Sequence, residues 1–169
     1  MELTSVLVVY TTPRTAEQRL TLEIVKKTLK KYKISYIIAN RDKLSEKQFK
    51  GKDMVIAVGG DGTFLRAAHF IGNQLILGVN ADVKSKEGFF MKSGKNDFEK
   101  KFRKIINNKF KIAKLPRLEA CINSKKIKAY ALNEFFVGAR KSYHAAKYVV
   151  QLDGRKERQK SSGILVTTP

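Results

Sequence analysis

The sequence predicts an α/β protein, with a Rossmann-like parallel sheet domain followed by the beginning of an all-β, β-sandwich-like domain. Over the first two thirds of the chain, short apolar runs alternate with amphipathic helical patterns, which is typical of a parallel sheet with right-handed crossovers. Close to residue 114 the pattern changes to strands and hairpin turns with little helix. We therefore expect two domains, at residues 1–113 and 114–169.

The composition excludes several classes of protein. Of the 169 residues, 43% are hydrophobic and 30% are charged, so the chain can form a packed core and global disorder is not expected. No apolar run approaches the roughly 18–20 residues that span a bilayer, so no membrane partner is expected. The one cysteine, Cys121, alternates with apolar neighbours, which predicts a small core residue and suits a reducing, cytoplasmic setting.

The net charge of +20 admits two interpretations. A basic chain can bind nucleic acid, but these lysines are scattered, and neither zinc-finger spacing nor an RNA-binding aromatic motif is present. Because charge alone carries little specificity, we favour a lysine-rich surface that attracts anionic nucleotides over a nucleic-acid partner.

The first domain is predicted to alternate between buried strands and helices. The strands span residues 3–10, 35–39, 54–58 and 74–79. Helices are expected at 16–32, at 44–49, from 64 to the Gly72-Asn73 pair, and after a cap at Asn96. Thr15 and Gln18 form a capping-box pattern before the first helix. The buried faces of the first and last helices are predicted from spacing to be Leu20, Ile24, Thr28 and Tyr32, and Phe98, Phe102, Ile105 and Ile106.

In the second domain, strands at 118–122 and 127–138 flank a hairpin turn at 123–126. A strand at 148–152, a turn at Asp153-Gly154 and a strand at 163–167 follow. An open sheet with an unpaired edge favours association.

The stretch Gly59-Gly60-Asp61-Gly62-Thr63 lies between an apolar strand and a helical pattern. Glycines permit sharp turns and close approach of the backbone, and a helix N-terminus offers free N–H groups to a phosphate. Asp61 would repel phosphate, so its presence needs a reason, and accepting a proton from an attacking hydroxyl is one. Asn80 follows the next strand, and ligands bind beyond the carboxyl ends of such strands.

Asn133 and Glu134 interrupt an apolar run, so strand alternation would bury one of them, at a cost of roughly 1–3 kcal/mol without partners. The alternative is an edge strand on which both side chains meet water. Residues 160–163 taken alone are typical of a turn. His69 and His144 are interpreted as structural or exposed, and no His, Cys or Asp cluster has metal-ligand spacing.

Three segments together resemble the ordered motifs of NAD kinases, over residues 54–169. The segments are Gly59-Gly60-Asp61-Gly62-Thr63, Leu132-Asn133-Glu134-Phe135 and Ser162-Gly163-Ile164-Leu165-Val166-Thr167-Thr168-Pro169. Two details are similar to the mitochondrial and plant-peroxisomal branch of the family. These are Gly78-Val79-Asn80-Ala81-Asp82 followed by Ser85 and Gly88, and Gln159-Lys160-Ser161-Ser162-Gly163.

The resemblance implies transfer of the γ-phosphate of ATP to the adenosine 2′-hydroxyl of NAD, giving NADP, with Asp61 as the proton acceptor. It implies a phosphate and nucleotide site formed by Gly59, Gly60, Gly62, Thr63 and Asn80. It implies that NAD contacts Asn133, Glu134, His144, Lys160, Ser162 and Thr168. Mg²⁺ or another divalent cation is expected with ATP, with no metal-binding residues on the chain, and the full-length protein is expected to be a homo-oligomer.

The chain also departs from the family pattern. Gly138-Ala139-Arg140 stands where many members have Asp-Arg-Gly, Ser162 replaces a common acidic residue, and residues 81–83 lack a proline. The family motif continues from Thr-Pro into Thr-Gly-Ser, whereas this sequence ends at Pro169. We therefore expect a fragment, or one piece of a split enzyme, with little activity alone.

Two other functions remain open. A related kinase with a glycine–aspartate–glycine loop would act on a lipid or a sugar phosphate, although the matches at Asn133-Glu134 and Thr168-Pro169 argue against it. A non-catalytic basic binding module would bind nucleic acid with a steep salt dependence.

Overall fold

The computed structural model describes residues 3–83, 88–141 and 143–168. The chain divides into two compact units, Met1–Lys114 and Leu115–Pro169. Two residues of the sequence motifs, Ser85 and Pro169, lie outside the described residues. Among the described helices, none has the length and apolarity that a membrane crossing needs.

The first unit is built on a parallel five-stranded sheet. Its strands are β1 (Ser5–Tyr10), β2 (Ser35–Asn40), β3 (Met54–Gly59), β4 (Leu75–Asn80) and the short β5 (Ser93–Gly94). Their order across the sheet is β2-β1-β3-β4-β5. Every residue of β3 is buried, as a strand covered on both faces by helices requires. The predicted fold class is confirmed.

Four helices cover this sheet: α1 (Ala16–Lys31), α2 (Glu46–Phe49), α3 (Asp61–Ala68) and α4 (Phe98–Ile106). One face of the sheet packs against α1 and α4. The other face packs against Phe49 of α2 and Ala67 of α3. A 3₁₀ turn, Arg41–Lys43, follows β2 directly.

The predicted buried face of α1 is partly wrong. Leu20 is 52% exposed, whereas the face that packs on the sheet consists of Thr21, Leu22, Val25, Thr28 and Leu29. The capping box is also incomplete. The Thr15 hydroxyl accepts the Gln18 N–H as expected, but the Gln18 side chain accepts from Arg14 rather than from Thr15.

The other helices differ from prediction mainly at their ends. A complete capping box at α2 joins Ser45 and Gln48. The cap of α4 is Asp97 instead of Asn96; its carboxylate accepts from the Gly94 N–H and the Ser93 hydroxyl, both at 2.8 Å. The predicted apolar face of α4 is confirmed at its three buried members, Phe98, Phe102 and Ile105.

The second unit consists of antiparallel strand pairs. They are β6 (Cys121–Ile122) with β7 (Lys125–Lys126), β8 (Glu134–Gly138) with β11 (Gly163–Thr167), and β9 (Ala146–Leu152) with β10 (Arg155–Ser161). Positive φ angles at Asn123, Ser124, Asp153 and Gly154 fit two-residue hairpin turns. The long strand predicted over 127–138 is shorter in the structure, where β8 has only five residues, Glu134–Gly138.

Two features of this unit differ from the predictions. Cys121 is exposed instead of buried, because it lies in a two-residue strand of a small hairpin. The strand β10 was not predicted, since its sequence RKERQKS has no apolar alternation. Lys160 and Ser161 therefore end a strand, and only Ser162 connects it to β11.

Candidate functional site at the carboxyl edge of the parallel sheet

The glycine motif and Asn80 lie side by side where β3 and β4 end. Gly59 and Asn80 are the last residues of these strands and are register partners. The Gly59 carbonyl accepts the Ala81 N–H at 2.9 Å, so the pairing continues one step past β4. This is the edge at which parallel sheets bind ligands, and both residues lie where the sequence placed them.

Residue 59 must be glycine because neighbouring side chains already fill the space that a Cβ would take. A Cβ at this position would lie 3.1 Å from the Thr63 Cβ and 3.3 Å from the Thr11 Cγ2, and it would overlap the Thr63 hydroxyl. Thr63 is fully buried, so it has little room to move. The turn from β3 into α3 therefore depends on the absence of a side chain at residue 59.

The second half of the glycine motif is helical, whereas the sequence predicted a helix only after Thr63. Helix α3 begins at Asp61, with Gly60 as its N-cap. The Gly60 carbonyl accepts from Thr63 N–H at 2.8 Å and from Phe64 N–H at 3.4 Å. Because glycine has no side chain, the cap makes no side-chain hydrogen bond to this helix end. The N-terminus of a helix is where backbone N–H groups can be offered to an anion.

Asp61 is held by backbone amides from the segment before β5. Its Oδ2 accepts the Phe89 N–H and its Oδ1 accepts the Phe90 N–H, each at 2.9 Å. The Phe90 ring stacks on Phe64 of α3 with centroids 5.0 Å apart. Each carboxylate oxygen retains a second lone pair, so Asp61 is fixed in orientation and can still accept a further proton donor.

Asn80 is 5% exposed, and its Oδ1 accepts the Asp82 N–H at 2.9 Å. A Cβ on Gly88, whose φ is +71°, would lie 2.8 Å from the Asn80 Nδ2. Asn80 therefore helps to shape the backbone on both sides of residues 84–87.

Sequence reasoning missed Arg41. It begins the 3₁₀ turn after β2, and its Nη1 donates to the Thr63 hydroxyl at 3.4 Å. The neighbouring Asp42 pairs with Arg66 of α3. The available signal was a basic residue directly after the carboxyl end of a parallel strand.

In the second unit, three of the predicted NAD-binding residues lie together. Glu134 is the register partner of Thr167. The Thr168 N–H donates to the Asn133 carbonyl at 3.1 Å, and its hydroxyl donates to the Leu132 carbonyl at 2.9 Å. Asn133 and Glu134 are both exposed, so the expectation that alternation buries one of them is wrong. Asn133 directly precedes β8 and Glu134 begins it, and among the described strands β8 pairs with β11 alone.

The other three predicted residues are spread along the chain of this unit. Lys160 is on β10 opposite Lys147 and lines a groove of about 400 Å³ over the β9–β10 pair. Ser162 is exposed between β10 and β11. His144 is exposed, as one interpretation expected, and its N–H donates to the Lys141 carbonyl.

The described part of the chain contains no group of three or more His, Cys, Asp or Glu side chains that could hold a metal ion. The described residues therefore do not form a cage of three or more such side chains for a divalent cation.

A family model and several known proteins match this chain. The model of the ATP-NAD kinase N-terminal domain matches residues 3–110. A probable NADH kinase of Oryza sativa is 27% identical over 175 residues, covering 88% of this chain and 52% of the relative. The NAD kinase of Bacteroides fragilis is 30% identical over 122 residues, covering 69% and 41% respectively. The mitochondrial NADH kinase of Saccharomyces cerevisiae is 27% identical over 122 residues, covering 69% and 30%.

The chain spans about half the length of the rice relative and less of the others. The family model covers nearly all of the unit that contains the sheet, the glycine motif and Asp61. By its sequence, the chain belongs to the ATP-NAD kinase family.

Proposed function

We propose that this chain carries the phosphoryl-transfer site of an NAD kinase, in which the γ-phosphate of ATP passes to the adenosine 2′-hydroxyl of NAD. The observation that carries the proposal is Asp61. It lies between two glycines at an open helix N-terminus, at the ligand-binding edge of a parallel sheet. Its two amide contacts aim the carboxylate without consuming its capacity to accept a proton.

In this reaction the chain positions groups and handles one proton. Asp61 accepts the proton of the 2′-hydroxyl while the hydroxyl oxygen forms a bond to the γ-phosphorus. The bond between that phosphorus and the β,γ-bridging oxygen breaks, and ADP leaves. The N–H groups at the start of α3, shaped by Gly59, Gly60 and Gly62, receive phosphate oxygens, while Thr63 and Asn80 keep the surrounding turns in place. Phosphoryl transfer needs such positioning and charge neutralisation more than covalent chemistry.

The second unit is proposed to contribute to NAD binding. The contact between Thr168 and Asn133, and the pairing of Glu134 with Thr167, support a common surface for base and ribose groups. His144, Lys160 and Ser162 are proposed to contact the same dinucleotide. In this proposal residues 1–113 form the phosphate domain and residues 114–169 form part of the NAD-binding domain.

The proposal also covers the metal ion, the oligomeric state and location, and the branch of the family. Mg²⁺ is proposed to arrive as the counter-ion of ATP. The working protein is proposed to be a cytoplasmic homo-oligomer. Sequence similarity to the rice and yeast NADH kinases supports placement near the mitochondrial and plant-peroxisomal branch, and it makes NADH a second acceptor to assay.

The test measures NADP formation by the full-length protein from ATP, Mg²⁺ and NAD with an NADP-specific dehydrogenase, because this chain alone is expected to have little activity. Asp61→Asn keeps the shape and removes the base, so we expect its rate to fall by roughly 10²–10⁴-fold. Equal rates for the two proteins would refute the role of Asp61. Phosphorylation of sphingosine or fructose 6-phosphate, with none of NAD or NADH, would refute the proposed substrate.

A further inference from the structure

Arg41 places a guanidinium group beside the glycine motif. Its Nη1 is 3.4 Å from the Thr63 hydroxyl, and a Cβ built on Gly62 would lie 3.5 Å from the same nitrogen. The Arg41 side chain is 31% exposed. One cationic group therefore lies against the first turn of α3, next to the residues that would receive phosphate.

The hydrogen bonds of this guanidinium are incomplete. The Arg41 Nε is buried and has no hydrogen-bond partner among the described residues. The Asp42 carboxylate is 3.8 Å from this nitrogen, which is beyond hydrogen-bonding distance, and the same oxygen already pairs with Arg66. Buried donors are nearly always satisfied, so the described residues leave this guanidinium short of an acceptor.

We propose that Arg41 is a substrate-binding residue that donates to a phosphate oxygen at the glycine motif, an inference that rests on the proposed kinase function. The planar guanidinium fork can bind two oxygens of one phosphate. It would offset the repulsion between phosphate and Asp61. The ligand class is a nucleotide phosphate, supplied either by ATP or by NAD.

A structural role for Arg41 makes a different prediction. If Arg41 only held the Thr63 hydroxyl, its loss would lower the melting temperature and leave phosphate affinity unchanged in the folded protein. If it binds phosphate, affinity falls even where folding is intact. Lys43 provides a matched control, because it is exposed and lies in the same 3₁₀ turn, so Lys43→Gln removes the same charge two residues away.

The binding experiment is calorimetric titration of the whole chain with inorganic tripolyphosphate. We expect Arg41→Gln to weaken binding roughly tenfold or more, Arg41→Lys to weaken it less, and Lys43→Gln to change it less than about twofold. Circular dichroism checks that each variant is folded. Wild-type affinity in folded Arg41→Gln or Arg41→Lys, an equal loss in Lys43→Gln, or no binding by the wild type would overturn the proposal.

A kinetic experiment identifies the source of the phosphate. A rise in KM for ATP alone would assign Arg41 to the donor, and a rise in KM for NAD alone would assign it to the acceptor. If the full-length protein forms no NADP but tripolyphosphate binding still depends on Arg41, the phosphate contact stands and the kinase reaction is refuted. If NADP forms with unchanged KM values in Arg41→Gln, the inference fails while the kinase function stands.

Discussion

Replacing Gly59 by alanine tests the steric explanation of the glycine motif. The new Cβ would lie 3.1 Å from the Thr63 Cβ and overlap its hydroxyl. Since Thr63 is fully buried, it can yield only by rotating away from Arg41 or by shifting the start of α3. Overpacking of this kind costs about 1–3 kcal/mol, which corresponds to a fall in melting temperature of roughly 4–12 °C for a unit of this size.

Gly62→Ala is the matched control from the same motif. Its Cβ would meet only the Arg41 Nη1, at an ordinary distance of 3.5 Å. Because Gly62 is helical, alanine should leave stability unchanged or raise it by up to about 1 kcal/mol. Thermal denaturation followed by circular dichroism measures both variants. Equal melting temperatures for Gly59→Ala and the wild type, or an equal loss in Gly62→Ala, would show that the clash does not govern this turn.

Two further predictions concern stability. Phe102 is fully buried in the core, so Phe102→Ala should lower the free energy of unfolding by about 3–5 kcal/mol. Phe89→Ala is the control, because this side chain is 73% exposed. It should change the free energy of unfolding, measured in urea titrations, by less than about 0.5 kcal/mol. The backbone N–H groups of Thr4 and Ser5 lower the pKa of Asp53. Its stabilisation should therefore be complete above about pH 4 and be lost as the pH falls through the lower folded pKa. In acid titrations, the difference in unfolding free energy between the wild type and Asp53→Asn should shrink below pH 4. A difference that stays constant with pH would contradict the stabilising role of the ionised Asp53.

The sheet was predictable because its central strands β1 and β3 are buried on both faces, so they stand out as continuous apolar runs. The buried face of α1, in contrast, was predicted only in part. Residues four apart advance 40° around a helix of 3.6 residues per turn, so a row of such residues drifts off one face. Leu20 therefore points to solvent at one end of that row, while Thr28 near the other end is buried.

The site was only partly predictable for a related reason. The glycine motif is a local pattern, so the sequence alone predicted that Gly59, Asp61 and Asn80 lie at the carboxyl ends of neighbouring strands. Arg41 is 22 residues from Thr63 in the chain, and only the strand order β2-β1-β3 and the path of the 3₁₀ turn bring the two together. Strand β10 was missed because its pairing with β9, rather than any apolar pattern, holds it extended.

The amide contacts of Asp61 also have a spectroscopic consequence. The N–H groups of Phe89 and Phe90 each donate to one oxygen of this carboxylate. In an ¹H–¹⁵N NMR spectrum, both amide resonances will therefore respond to any change at that carboxylate, whether a bound hydroxyl, a proton or a substitution. Two backbone signals thus follow the site directly, without a label or a turnover assay, and their hydrogen-exchange rates record how often the contact opens.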